Sequence, residues 1–269
     1  PVRKLNAETA RKIAAGEVID RPNAIVRELM DNAIDSGATE ITVEITGGGI
    51  DKIRVIDNGC GMTREDLAEC AHPHCTSKIE NETDLLKLST LGFRGEALAS
   101  IAAVARLSII SGGYKMRASI TEDHIIEGVS KTCGTIVMSE GLFENFPARR
   151  QFLKRPASEG IMCRQTFIEK SLPRPDLSFR LVIDGETKID LHGGETRISR
   201  FVHAMDFRET EKLFYEINAQ SGKSGAWENE NDYRPDWNFS VVLGEPSVNR
   251  TNKKDIYIFV NGRRIQEYS

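Results

Sequence analysis

Positive charge is not in excess in this chain. Its 36 lysines and arginines stand against 40 aspartates and glutamates, a formal net charge of -4. A surface that holds nucleic acid through overall charge is therefore excluded, and any such contact falls to local clusters. The five cysteines are an odd number with no CxxC pair, so they make no disulfide framework and read as reduced thiols. No apolar run approaches the ~20 residues of a membrane span. Pro1 opens directly onto a polar, mixed-charge segment without a signal-peptide pattern. The expectation is a soluble protein without membrane partners. Two common phosphate-binding strings are also missing, GxxxxGK[ST] and the dinucleotide GxGxxG. The five histidines have no serine partner that would make a hydrolase triad. With 269 residues, 39% of them hydrophobic, the chain can bury a core of one large domain or two moderate ones.

What is present is an ordered set of short strings on a legible pattern of elements. Asn6 can cap a helix over 7–15, with Gly16 as its stop. Arg21-Pro22 opens a second helix, ended by Gly37. In that helix Ile25, Val26, Leu29, Met30, Ala33 and Ile34 form an apolar stripe, while Glu28, Asn32 and Asp35, spaced by four and three, share the opposite face. Residues 41–45 and 52–56 alternate as the two strands of a hairpin around Gly47 to Gly49. Asp57 stands at the second strand's exit, followed by Gly59 and Gly61, which let backbone approach a ligand.

Thr63 can cap a short helix through Cys70. The stretch 71–91 has no sustained period and reads as a long functional loop or lid, with Gly92 and Gly95 as its far hinge. Around its start Cys70, His72, His74 and Cys75 resemble a zinc cluster, but the spacing is too tight and no second pair follows, which favours the lid. A small-residue helix over 96–105 is followed by strand-like runs at 106–111, 114–120, 124–129 and 135–139. A helix reaches to Lys170 after the break at Pro147. Strands at 179–183 and 188–191 pair across Asp184-Gly185, a two-residue hairpin turn. A boundary near Gly193-Gly194 separates domains 1–193 and 194–269. The second holds a helix over 196–205, a polar stretch over 218–236 without expected order, and strands around 239–243 and 256–260.

These residues carry a chemistry. Hydrolysis of a nucleoside triphosphate needs a group to orient water, a metal on the phosphates and donors for phosphoryl charge. Glu28 can polarise the water, and Asn32 can offer its amide oxygen to Mg²⁺, which keeps waters and phosphates as its other ligands. An ionised Asp57 only accepts hydrogen bonds, so it can receive the exocyclic amine of adenine and repel the carbonyl of guanine. Met62, beside Gly61, can wall that pocket or serve as an ordinary core residue. Gly92, Gly95 and the amides that open the next helix can cradle phosphate, with Lys78 or Arg94 adding positive charge. Arg149, Arg150, Lys154 and Arg155, and later Arg250, Lys253, Lys254, Arg263 and Arg264, are the local basic clusters.

The strings over 28–32, 57–61 and 92–98 resemble the nucleotide-binding motifs shared by gyrase, the large heat-shock chaperone, histidine kinases and MutL. Within that superfamily the strings over 13–19, 76–79, 91–101, 147–153 and 260–263 resemble MutL-type mismatch-repair proteins. The resemblance implies an α/β fold, a two-layer sandwich with a mixed, mainly antiparallel sheet, followed by a ribosomal protein S5 domain 2-like domain. It implies slow ATP hydrolysis with ATP and Mg²⁺, coupled to dimerisation with itself or a paralogue, and work with a MutS-type mismatch-recognition protein on DNA. It makes Glu28 catalytic, Asn32 the Mg²⁺ ligand and Asp57 the adenine reader. Gly61, Met62, Thr76, Ser77, Lys78, Gly92, Phe93, Arg94, Gly95, Glu96, Ala97, Leu98 and Thr135 would line the ATP site, and Arg263 would touch DNA. It places the protein in the cytoplasm of a bacterium or the nucleus of a eukaryote. Asp31 and Cys75 depart from the usual glutamate and alanine. The family's second domain normally continues and supplies a lysine to the γ-phosphate, so the chain is expected to be a fragment with an incomplete second domain and impaired turnover. The alternatives are a catalytically silent DNA- or protein-binding module, or a topoisomerase- or chaperone-type ATPase.

Overall fold

A computed structural model describes residues 15–72, 75, 96–120, 122–208, 210–221, 237–249 and 255–265. The chain divides into two compact units, Pro1–Gly194 with Tyr257–Ser269, and Glu195–Ile256.

In the first unit the expected hairpin forms as β1 (Glu40–Thr46) and β2 (Lys52–Asp57), paired antiparallel with Ile41 opposite Asp57. The Gly47–Gly49 turn between them includes Gly48 at φ +67, and a Cβ there would stand 2.0 Å from the Pro156 carbonyl oxygen. Only glycine fits both the left-handed backbone and that close approach. The sheet grows by β3 (Arg106–Ser111), β4 (Tyr114–Arg117), β5 (Ile125–Gly128), β6 (Thr135–Glu140), β7 (Ser178–Ile183) and β8 (Glu186–Leu191). The strand order is β5-β4-β3-β6-β2-β1-β7-β8. β1 runs parallel to β7, and all other neighbours are antiparallel. The mixed, mainly antiparallel α/β sheet expected from the sequence is thus present. A parallel neighbour requires a long crossover, and helices occupy part of the connection to β7.

Period-two alternation gives the sheet one buried face: Val43, Ile45, Ile53, Val55, Ile109, Val137 and Leu181 are at most 7% exposed. The helix α1 (Pro22–Asp35) packs against β1 and β2, burying Ile25, Val26, Leu29 and Met30. Further helices are α2 (Arg64–Glu69), α3 (Ala97–Val104), the single turn α4 (Pro147–Arg150) and α5 (Pro156–Ser171), which packs on α1 and β7. Thr63 caps α2 in a reciprocal capping box with Asp66. The Asp184-Gly185 turn has positive φ at both residues, as a two-residue hairpin requires.

Several expectations are revised. Gly16 does not end a helix: residues 15–18 are helical, with the Ile19 amide donating to the Ala15 carbonyl at 2.8 Å. The fully buried Ile19 holds the chain there, and the missing Cβ makes room for the Arg149 guanidinium. The rest of the expected 7–15 helix lies outside the described residues. The helix expected to reach Lys170 is two, because Pro156 lacks an N–H and starts a new one. β4 and β5 are shorter than their runs, ending at Arg117 and Gly128. Residues 257–265 group with the first unit rather than with 195–256. There the hairpin β11 (Ile258–Val260) and β12 (Arg263–Ile265) is tied to α5, with Gln165 Nε2 donating to the Tyr257 hydroxyl at 2.9 Å.

In the second unit α6 (Arg197–Met205) is capped by Thr196, whose Oγ1 accepts from the Ser199 amide at 3.0 Å. It covers a ribbon of β9 (Phe214–Gln220) and β10 (Asn238–Gly244) through Val202, Phe214 and Val248. Gln220 and Asn218, expected in a polar stretch without order, are strand residues here, and 222–236 lie outside the described residues.

Candidate active site

The site begins as one row of the sheet. Register places Phe179, Ile41, Asp57, Thr135 and Ser111 side by side across β7, β1, β2, β6 and β3. All five sit on the buried face, so three adjacent polar residues border a mainly apolar layer. Asp57 is 7% exposed. Burial pushes its carboxyl above the ordinary carboxylate value, and the amides of Gly59 and Thr135 and the Ser36 hydroxyl pull it partly back. The Gly59 amide donates to Asp57 Oδ1 at 2.9 Å.

The loop after Asp57 is pinned at successive residues. Asn58 Oδ1 accepts from the Thr39 and Glu40 amides at 2.8 and 3.0 Å. The Cys60 amide donates to the Ser36 carbonyl at 3.1 Å. The Met62 amide donates to Ser111 Oγ at 2.9 Å, and that hydroxyl donates on to the Gly134 carbonyl at 2.8 Å. Gly61 has φ +75 and a Cβ there would meet Ser111 Oγ at 3.1 Å. Gly134 has φ +70, and a Cβ would stand 2.0 Å from the Asp57 carbonyl oxygen. Asp57, Gly61, Met62 and Thr135 are therefore brought together by one hydrogen-bonded unit with Ser111 at its centre.

Ser36, the C-cap of α1, ties this unit to the helix that carries Glu28 and Asn32. Glu28 is 23% exposed and pairs with Arg27 at 3.1 Å, and Asn32 is half-buried. Asp31 points the other way: it is 6% exposed, and both its oxygens lie 2.6 Å from Lys170 Nζ on α5. Burial raises its carboxyl above the usual range, and Lys170 opposes that shift. Glu96 precedes α3, with its carbonyl accepting from the Ser100 amide at 2.8 Å; Ala97 is half-buried and Leu98 buried. Thr76, Ser77, Lys78, Gly92, Phe93, Arg94 and Gly95 lie outside the described residues, as does nearly all of the lid stretch.

At the start of the lid stretch, His72 stacks on His124 with centroids 4.2 Å apart. Burial and His72 lower the His124 pKa from its ordinary value. Of the basic clusters, Arg150, Lys154 and Arg155 are exposed. Arg263 is exposed on β12, whereas Arg264 turns onto the Tyr257 ring at 4.1 Å and Glu169 at 3.7 Å. Arg250, Lys253 and Lys254 lie outside the described residues.

Ser111, Ser36, Asn58 and Lys170 are not reached by sequence reasoning. Ser111 does carry a signal: it occupies the inward alternation of Leu107 and Ile109, where a hydroxyl must find partners.

The site thus sets a carboxylate at a strand exit beside a helix that carries a carboxylate and an amide, on a half-covered mixed sheet. The family model described as histidine kinase-, DNA gyrase B-, and HSP90-like ATPase matches residues 20–138. Within that match the chain is similar to MutL-type DNA mismatch repair proteins. The MutL of Treponema pallidum (strain Nichols) is 43% identical across 100% of this chain and 44% of its own length. That of Agathobacter rectalis is 38% identical across 97% of this chain and 39% of its own. The chain thus spans less than half the length of these relatives. The fold matches the Aquifex aeolicus MutL ATPase domain complexed with ADP at TM-score 0.66 and 24% identity, covering 93% of this chain and 85% of that one.

Proposed function

We propose that the chain binds ATP and hydrolyses it slowly, as the N-terminal region of a mismatch repair protein. The observation that carries this reading is the buried Asp57 carboxylate, held by the Gly59 amide beside Gly61, Met62 and Thr135. An acceptor-only group in that place selects the amine of adenine over the carbonyl of guanine. Glu28 orients and deprotonates the attacking water, and the polar face of α1 holds it at the phosphate end. The donor set there fits a hard cation, since Glu28 and Asn32 offer only oxygen ligands and a helical repeat of four brings them to one side. Asn32 would hold Mg²⁺, which when bound neutralises charge on the phosphates. Glu96, Ala97 and Leu98 follow the phosphate-cradling glycines, and Thr76, Ser77, Lys78, Phe93 and Arg94 complete the enclosure.

ATP orders the 71–91 lid and drives dimerisation with a second copy or a paralogue. This assembly couples a MutS-type recognition protein to later repair steps. DNA is met locally, at Arg263. In this reading the boundary at 193/194 separates the nucleotide-binding domain from the second domain. The protein works in the cytoplasm of a bacterium or the nucleus of a eukaryote.

Phosphate release by the wild type and by Glu28→Ala, with ADP affinity measured beside it, tests the proposal. Loss of a general base costs on the order of 10²–10⁴-fold, so release is expected to fall at least about 100-fold with ADP affinity kept. Wild-type release that does not depend on Glu28 overturns the hydrolytic assignment and leaves a binding module.

A further inference from the structure

We propose that Lys170 is a positioning residue for this site: through its buried ion pair with Asp31 it fixes the rotation and height of α1, and with them Glu28 and Asn32. The inference rests on the ATPase reading above. Asp31 lies three residues after Glu28 and one before Asn32, so a clamp at Asp31 acts on the helical segment that carries both. Lys170 Nζ is 2.6 Å from each Asp31 oxygen, and the two side chains are 16% and 9% exposed.

Stability alone is a weak account of such a pair, because an apolar pair of similar volume generally serves as well or better. Direction is what the pair adds. The apolar contacts of Ile25, Leu29 and Met30 set which face of the helix is buried, but hydrophobic attraction is non-directional and does not itself fix its fine rotation and height. Two further polar contacts of α5, with residues at the start of this helix region, are weaker. Asn23 Nδ2 donates to Thr166 Oγ1 at 3.2 Å, and Arg21 Nη1 approaches Met162 Sδ at 3.3 Å. Met162, Thr166 and Lys170 follow a spacing of four and form one stripe of α5. Lys170 is the member of that stripe that reaches the third turn of α1, beside the residues that do the chemistry. Its cation also suits the last turn of α5, where the helix dipole is negative.

The test compares wild type, Lys170→Met, Lys170→Arg and the double variant Asp31→Asn/Lys170→Met, with Glu28→Ala as the control for the hydrolytic reading. Each is measured for phosphate release, ADP affinity, thermal midpoint and hydrogen exchange of the amides over 28–35 in the nucleotide-free protein. Misplacement of catalytic groups by ~1 Å costs about 10²-fold. Lys170→Met is expected to lose on the order of 10–100-fold in phosphate release and protection over 28–35, with ADP affinity within about threefold. Lys170→Arg restores both. The double variant recovers the thermal midpoint without recovering the rate, and it keeps the test decisive where the single Met variant does not fold. Unchanged exchange protection in Lys170→Met overturns the proposal, as does a double variant whose rate returns with its stability. Exchange reads helix placement without turnover, so a wild type that shows no Glu28-dependent release fails the ATPase reading while the positioning result still stands or falls.

Discussion

Replacing Asp57 by Asn separates binding from stability in opposite directions. In the nucleotide complex, the loss is a hydrogen bond from the adenine amine to an ionised acceptor, about 1.5–3 kcal/mol. At 1.4 kcal/mol per decade, that is on the order of 10–150-fold in affinity. If the new NH₂ faces the adenine amine, donor meets donor and the loss lies at the upper end. The nucleotide-free fold behaves differently. Asp57 is 7% exposed and its folded pKa is raised by burial. A raised carboxyl contributes stability that is fully present below the unfolded pKa and is lost as pH rises through the folded one. At neutral pH the ionised native side chain is thus a cost. Asparagine carries no charge at any pH, and its carbonyl can still accept from the Gly59 amide. The expected result at pH 7 is a thermal midpoint equal to or above wild type, with ADP affinity at least about tenfold weaker. Below pH 4 the stability difference closes. Isothermal titration with ADP and thermal denaturation from pH 4 to 8 read both. A variant that binds ADP as wild type does, or that melts several degrees lower at pH 7, refutes the reasoning.

Further outcomes follow from single contacts. Gly48→Ala puts a Cβ 2.0 Å from the Pro156 carbonyl in a left-handed backbone; left-handed strain and overpacking together predict a loss of about 3 kcal/mol in urea denaturation. Ser111→Ala leaves the Met62 amide without its hydroxyl acceptor, so about 1–3 kcal/mol of stability is lost and ADP binding weakens with it. An unchanged denaturation midpoint contradicts the bridging role given to Ser111. The depressed His124 pKa gives stability that is present above the ordinary histidine value of 6.5 and is lost as pH falls through the lower folded value. His124→Phe keeps the stack on His72 and should flatten that acid slope, which thermal midpoints between pH 5 and 7.5 measure.

The elements near the chemistry were legible because local periodicity specifies them. The apolar stripe of Ile25, Leu29 and Ile34 fixes a helix and thereby puts Glu28 and Asn32 on its other side. Alternation at 41–45 and 52–56 fixes a hairpin, and Asp184-Gly185 fixes a turn by its tolerance of positive φ. Gly16 misled, since a glycine reads locally as a stop, while the buried Ile19 and the Arg149 guanidinium decide its place from a distance. Arg264 misled in the same way: among basic residues it reads as surface, but β-strand alternation turns it onto Tyr257 and Glu169.

The sequence by itself determined which chemistry-bearing side chains share a helix face or stand at a strand exit, because those relations span a few residues and follow from bond geometry. Only the tertiary structure decided that Asp57, Thr135 and Ser111 form one row, since register between strands is set by distant pairing and burial. It likewise decided that Lys170 neutralises Asp31 across 139 positions of chain. Such a partner leaves no local pattern, because only packing two separate helices together brings its charge to the site.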